Sequence, residues 1–442
     1  MPKHPYIFLA LILLFSLAPA TLAQKKPKPR DFGSSLRKLK WDPERSQTTD
    51  TTNQTADPDD DVIRFNTALV ATDLLVLDRR GQPVRGLVAG DFLITEDGKP
   101  QQVGHFLLGS NTSVPRSIAL IIDYSGSQFP YIQNSVEAAK VLIDKLGPRD
   151  RLAIITDDIE MLSDFDSNKT ALKKKLDILI ERSRGKKAFL GLGAKNRRLG
   201  LSAQYSALMA TLNEAFDEED VRPIIIFQTD GDEAVFLRNP VIAITPPVGV
   251  KGDALVKAQE SFQFHQRELL RNLTEFSLDD VYRAVERTRA TVYTVIPGPK
   301  LVGLSIEEQS KKIRADRQAA QAKILETVTS DGRRKVQERI ARDEKNFTED
   351  YDRWRAELQF KQQSALVPVA VITGGWTEFL ETPGQAEQIY ARIFSDINQR
   401  YIVGYYPTNK ERDGKRRKIE IKIKGHPEYQ VYGRRSYFAP EP

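Results

Sequence analysis

Ile118-Ala119-Leu120-Ile121-Ile122-Asp123-Tyr124-Ser125-Gly126-Ser127 is the stretch from which the fold can be read. Its first five residues are a continuous apolar run without polar alternation, which predicts a strand buried on both faces. Such strands belong to parallel sheets with helices packed on each side. The next five residues put an aspartate and two serines at alternate positions just past the strand, at the carboxyl edge where the loops of a parallel sheet diverge and ligands bind. Three oxygen-bearing side chains in one loop can converge on a hard cation. Taken alone, the pattern is common.

The alternation of strand and helix continues outward. Ile132, Val136, Ala139, Ile143 and Leu146 form a helical stripe that stops at Gly147-Pro148. Leu152 to Ile155 reads as the next strand, and Ser167 as the cap of a helix carrying Leu172, Leu176 and Leu179. Ile224 to Phe227 is a further strand, and Ser277-Leu278-Asp279-Asp280 resembles a capping box before a helix and the strand Thr291 to Ile296. Val367 to Ile372 as a strand, a helix over 385–397 and a strand over Tyr401 to Tyr406 close the pattern. Two more polar segments fall at the same sheet edge. Thr229-Asp230-Gly231-Asp232 follows the strand that ends at Gln228, and Gly200-Leu201-Ser202-Ala203 precedes an amphipathic helix containing Tyr205, Leu208, Leu212 and Phe216.

Composition narrows the chemistry. The 442 residues are 40% apolar and 29% charged, enough for real cores and a prior of about three domains. Zero cysteines exclude disulfide scaffolds, thiol nucleophiles and cysteine zinc sites. The four histidines, His4, His105, His265 and His426, are too dispersed for a local zinc-protease motif. Carboxylates and hydroxyls remain, the hard ligands of Mg2+, Mn2+ or Ca2+. Lys plus Arg exceed Asp plus Glu by 66 − 60 = 6, which gives no argument for a nucleic-acid partner.

The two ends and one internal block stand apart. Residues 1–23 have the layout of a secretory signal, with a basic start, an apolar core from Ile7 to Leu17 and a cleavage point after Ala23; an uncleaved anchor is the alternative. No later stretch approaches 18 apolar residues, so the mature chain is expected outside the cytoplasm, secreted or in the periplasm or cell envelope, without a transmembrane segment. Residues 24–61 are poor in aliphatics and read as a disordered linker. Residues 62–110 contain short strands around an Asp97-Gly98 turn, too few to stand alone, while 418–424 alternate with period two and 429–438 form another strand. The two ends are expected to build one small β-sandwich, 62–110 pairing with 411–438 of a C-terminal segment 411–442. Residues 304–363 are dense in charge and predict a solvated hairpin of two long helices, broken at Ser330-Asp331-Gly332.

Asp123, Ser125 and Ser127, with Ser202 and Asp230 in register, strongly resemble the von Willebrand factor type A (vWA) domain and its metal-ion-dependent adhesion site. Ser202 falls where that family usually has Thr, which keeps the hydroxyl but loses a rotamer restraint. The fuller layout, with Val84-Arg85-Gly86-Leu87, Asp91-Phe92, Glu96-Asp97-Gly98-Lys99, Thr373-Gly374-Gly375 and Gln399-Arg400-Tyr401-Ile402-Val403-Gly404-Tyr405-Tyr406-Pro407, is similar to the bacterial secreted VWFA-related family first catalogued in Acidobacteria. The resemblance implies a Rossmann-like, doubly wound, mainly parallel α/β sheet over 115–303 and 364–407. It also implies a divalent cation, Mg2+ before Mn2+ or Ca2+, held by Asp123, Ser125, Ser127, Ser202 and Asp230.

The function expected is therefore metal-dependent capture of an unidentified protein partner through its Asp or Glu carboxylate. Neutral serine ligands leave the cation residual charge and an open position for that group. Arg182, Arg184, Lys186, Lys187, Lys195, Arg197 and Arg198 read as one basic loop that would attract the same acidic partner. Two other classes compete. A structural or assembly role would use the metal only to stabilise the fold. A metal-dependent hydrolase would need a general base, and no histidine or second metal motif is placed for it.

Overall fold

The computed structural model describes residues 32–39, 69–108, 110, 115–125, 128, 131–184, 203–217, 222–231, 277–327, 330–344 and 347–440. The expected signal segment 1–23 lies outside them, as does most of the linker. Phe32 to Pro442 form one compact unit.

Strands β1 (Val70–Leu77), β2 (Phe92–Glu96), β3 (Lys99–Gln101) and β4 (Val103–Leu108) precede the central strand β5 (Ser117–Ile122). There follow helix α1 (Ile132–Asp144), strands β6 (Arg151–Thr156) and β7 (Met161–Asp166), helices α2 (Lys169–Arg184) and α3 (Gln204–Glu214), strand β8 (Pro223–Gln228), helix α4 (Leu278–Arg287) and strand β9 (Thr291–Pro297). Next come helices α5 (Ile306–Thr327), α6 (Ser330–Glu344) and α7 (Glu349–Val371), strand β10 (Thr377–Leu380), helix α8 (Ala386–Gln399) and strands β11 (Tyr401–Tyr405), β12 (Arg416–Ile423), β13 (Gln430–Tyr432) and β14 (Ser436–Phe438).

The central sheet has the order β10-β9-β8-β5-β6-β7 and is parallel except for β7. Every residue of β5 is buried. Ile118, Leu120 and Ile122 pack with α1, α2 and α8 on one face, and Ala119 and Ile121 with α3, α4 and α7 on the other. The doubly wound α/β sheet is thus as the apolar run predicts. Helix α4 begins at the expected capping box, where Ser277 and Asp280 satisfy each other's backbone N–H groups. The cap of α2 is Asn168 rather than Ser167: its Oδ1 accepts from Ala171 N at 3.0 Å.

The antiparallel strands form two further sheets, β13-β1-β11-β4 and β14-β12-β2-β3. Leu74, Val76, Phe92, Ile94, Val403, Tyr405, Ile419 and Ile423 bury one common core, so the two chain ends do build a sandwich-like layer. Strand β11, expected to close the parallel sheet as part of 364–407, instead pairs with β1 and β4. Its place at that sheet's end is taken by β10. The segment 429–438 is two short strands, interrupted where Gly433 passes Gly374. A Cβ on Gly374 would lie 2.5 Å from Gly433 Cα, so the Thr373-Gly374-Gly375 turn allows a main-chain crossing no larger residue permits.

Three further expectations change. Residues 367–372 are not a strand. They continue α7, burying Leu366, Val369 and Ala370 at helical spacing while Val371 is exposed, so the 3.6 period overrides the β-branched composition. The block 304–363 holds three helices rather than a two-helix hairpin, and the third runs into the core. The linker 24–61 is ordered in part: Leu36 is buried on α3, and Gly33 N and Ser35 N donate to the Glu214 carboxylate at 2.8 and 2.7 Å. One phenylalanine and one leucine in a basic segment suffice because that carboxylate takes up the backbone donors.

Two predictions follow from these contacts. Deleting residues 411–442 removes β12, the partner of β2, and β13, a partner of β1, together with β14; limited proteolysis with mass spectrometry should then cut within 69–108, a segment that should stay protected in the full chain. In the arm, Asp352 is fully buried and accepts from Arg314 Nε at 2.7 Å and from Arg317. Asp352→Ala should lower stability in urea denaturation by about 2 kcal/mol, the scale of lost charge-assisted hydrogen bonds at partly exposed arginines.

Candidate metal centre

Strands β6 and β8 flank β5, so the chain reverses its winding direction between β5 and β8. The crevice outside their carboxyl ends is the topological switch point, where open α/β sheets bind ligands. Pairing runs one residue beyond each strand: Asp123 N donates to Gln228 O at 3.0 Å and Thr229 N to Val295 O at 3.1 Å. This holds Asp123 at the end of β5 and Asp230 just past β8, both buried at 2% and 8% exposure.

Asp123 is locked from two sides. Its Oδ1 accepts from Ser125 N at 2.9 Å and its Oδ2 from the Thr229 hydroxyl at 3.3 Å. Asp230 accepts from two side-chain amides, Gln128 Nε2 at 2.7 Å and Gln204 Nε2 at 3.0 Å. Gln204 also accepts from Gly231 N at 3.0 Å, tying the start of α3 to the loop after β8. A third buried carboxylate, Asp157, caps the Tyr124 N–H at 3.1 Å, and its main-chain oxygen accepts from Ala203 N at 3.1 Å. The residue next to Ser202 is thereby anchored at this edge. Ser127 and Ser202 themselves lie outside the described residues, and Ser125 is half-buried in the loop.

Burial is the main force on these carboxyls. It raises the proton affinity of Asp123 well above the carboxylate range, and the charges of Asp157 and Asp230 add to it, while hydrogen bonds from Ser125 oppose it. Burial followed by the charge of Asp158 does the same to Asp157. Neither Asp123 nor Asp157 has a cationic partner among the described residues. Gln128 Oε1 is also buried and accepts no hydrogen bond. Buried acceptors without a compensating positive charge are the donor set a hard cation fits. Among the described residues no three carboxylate or histidine side chains are grouped so as to hold an ion by themselves.

No local pattern in the sequence assigns Gln128, Gln204 or the Thr229 hydroxyl to this site, and the Asp157-Asp158 pair suggests a separate site at most. Asp157-Asp158 reads as surface acid, yet Asp157 is 3% exposed. Its position one residue past the strand neighbouring β5 is the signal that would have found it. The glutamines carry none, since only the fold shows that these amides face a carboxylate.

The expected basic loop is partly helix. Arg182 and Arg184 belong to α2, and Arg182 is compensated, donating to Glu160 at 2.6 and 3.1 Å beside the Tyr124 hydroxyl. Lys186, Lys187, Lys195, Arg197 and Arg198 lie outside the described residues. The arm closes the other side of the crevice. Tyr131 donates to Asp316 of α5, and Gly231, at φ +81°, has Gln362 O of α7 3.0 Å from where a Cβ would stand.

No protein-family model matches the chain, and no curated protein matches it. Solved structures do. Proximal thread matrix protein 1 from the mussel byssus aligns at 10% identity and TM-score 0.29 over 64% of this chain and 48% of that one. The chain spans about half the length of the mussel structures it matches. A von Willebrand factor type A structure from Catenulispora acidiphila aligns at 11% identity and TM-score 0.31, covering 86% of this chain and 75% of that one. The vWF domain of the type V pili tip protein Mfa5 from Porphyromonas gingivalis gives 12% identity and TM-score 0.32 over 64% and 95%.

The raised proton affinities carry a sign. A carboxyl that holds its proton more tightly when folded stabilises the fold at low pH, and that contribution is lost as pH rises through the folded value. In EDTA at pH 7 Asp123→Asn, which removes the repelled charge, should therefore melt higher than the wild type, and the gap should close toward pH 4. An unchanged or lower melting temperature at pH 7 would mean that Asp123 is not destabilised in the metal-free fold.

Proposed function

We propose that this chain is an exported adhesion-type protein that binds a divalent cation at the β5/β8 crevice and uses it to capture an acidic group of a protein partner. The observation that carries the reading is the burial of Asp123 and Asp157 at the switch point without a cationic partner among the described residues. Asp123, Ser125, Ser127, Ser202 and Asp230 are the proposed ligands, with Mg2+ the first choice and Mn2+ or Ca2+ the alternatives. When bound, the cation would supply an open coordination position for a partner carboxylate.

The chain's own residues prepare that position. Ser125 N and the Thr229 hydroxyl fix the Asp123 carboxyl, and Gln128 and Gln204 orient Asp230. Asp157 sets the Tyr124 backbone and hence the course of the loop. Lys186, Lys187, Lys195, Arg197 and Arg198 add long-range attraction for an acidic partner, which falls with salt. Residues 1–23 direct export as a signal peptide.

Isothermal titration with MgCl2 and MnCl2 tests the centre. The wild type should bind one equivalent, and Asp123→Ala should lose at least tenfold in affinity; equal binding by both proteins sinks the assignment. EDTA then separates adhesion from a purely structural metal. A melting temperature that falls by only a few degrees on metal removal supports a partner site, whereas loss of the folded state favours a structural role.

A further inference from the structure

A cleft of about 640 Å³ opens at the opposite end of the parallel sheet from the carboxylates, between the sandwich layer and the α/β body. That volume falls within the roughly 300–1,000 Å³ typical of small-molecule sites. We propose that this cleft binds a small amphipathic monocarboxylate, its apolar chain on the Leu75–Trp376 side and its head at Arg435. The proposal is independent of the metal centre.

The apolar wall comes from both layers. On β1, Asp73, Leu75 and Leu77 share the face turned away from the sandwich core, which takes Leu74 and Val76. Asp73 is engaged by Arg222 at 3.2 Å, leaving Leu75 and Leu77 to line the cleft. Val371, Trp376 and Tyr432 complete the lining, and Val371 and Tyr432 are 57% and 43% exposed. These are the exposed large apolar side chains expected of a binding surface rather than of a packed joint.

Charge sets the class and orientation of the ligand. The cleft is lined by Arg392, Arg400 and Arg435 against one carboxylate, Asp396. Arg400 is spent on Asp396, Gly374 O and Asp73 O, and Arg392 lies over the Trp376 ring and pairs with Glu378 at 2.6 Å. The Arg435 guanidinium has no partner among the described residues and stays exposed. At the inner end, Asp396 Oδ1 is buried and accepts no hydrogen bond, so it repels a second carboxylate. An anionic head is therefore directed outward to Arg435, where one charge-assisted, bidentate pair is available.

Sodium laurate below its critical micelle concentration is the probe, with calorimetry on the full chain. Saturable binding should weaken at least tenfold in Arg435→Glu and in Val371→Asp, both substitutions at exposed positions that leave the melting temperature unchanged. Quenching of tryptophan fluorescence by 12-bromododecanoate should be lost in Trp376→Phe. Dodecyltrimethylammonium, with the same chain and opposite charge, should not bind. Asp123→Ala should retain laurate binding, which separates this site from the metal centre. No saturable laurate binding, equal binding by the ammonium amphiphile, or affinity unchanged in both Arg435→Glu and Val371→Asp would overturn the proposal.

Discussion

Strand β5 has no exposed face, and most of the architecture follows from that burial. Six consecutive buried residues cannot share a sheet surface with water, so helices must cover both sides. The chain covers one side with α1 and α2 and the other with α3 and α4, and to do so it places β6 and β8 on opposite flanks of β5. The two connections then leave the sheet in opposite directions. A crevice at the carboxyl ends of β5 and β8 is the geometric result. Side chains one or two residues past those strands face into it, and Asp123 and Asp230 occupy those positions.

The sandwich layer obeys a different constraint, because neither chain end has enough strands to form it. Strand β1 needs β11 and β13, and β2 needs β12, so the first ordered strands are completed only by the last. The joint to the α/β body is correspondingly polar. Arg400, nearly inaccessible at the junction of α8 and β11, donates to Asp396 Oδ2 at 2.8 Å, to Gly374 O at 2.6 Å and to Asp73 O at 3.3 Å. Burying a guanidinium costs several kcal/mol of hydration, and its partners roughly offset that. The pair therefore fixes the geometry of the joint more than it stabilises it: Asp396 is also held by the Tyr293 hydroxyl at 2.7 Å and by Trp376 Nε1 at 3.2 Å, which leaves Arg400 one way to seat.

Local pattern reveals what local physics determines. The run Ile118 to Ile122, the Ser277 capping box and the alternation from Lys418 to Lys424 each carry their structure in their own spacing, and each forms the expected element. The pairing of β2 with β12 also follows from an argument about strand number. Residues 367–372 fail because Val and Ile suggest a strand and Pro368 argues against a helix interior, while helical burial of Leu366, Val369 and Ala370 decides otherwise. Strand β7 fails for the opposite reason, since Met161-Leu162-Ser163-Asp164-Phe165-Asp166 has too little apolar content and gains its state only by antiparallel pairing with β6. In the site, Asp123 and Asp230 are legible because strands point to them, whereas Asp157, Gln128 and Gln204 acquire meaning only when three chain segments meet.

Helix α7 joins these constraints. Its middle lies against the loop after β8, where Gln362 O and Leu366 crowd Gly231, and its last residue, Val371, lines the cleft at the other end of the sheet. Nine residues of helix separate the Gln362 and Val371 contacts, about 14 Å at 1.5 Å per residue. The N-terminal half is fastened to α5 by Asp352 with Arg314 and Arg317, and α5 reaches the carboxylate crevice through Asp316 and Tyr131. A charged insertion is usually a solvated appendage, free to vary without affecting the core. Here its third helix is a core element of the sheet, so the length and tilt of the arm are set by packing on Gly231 at one point and on the cleft at another. At Gly231 a Cβ would approach Gln362 O to 3.0 Å, so the glycine is what lets α7 lie this close to the loop that carries Asp230.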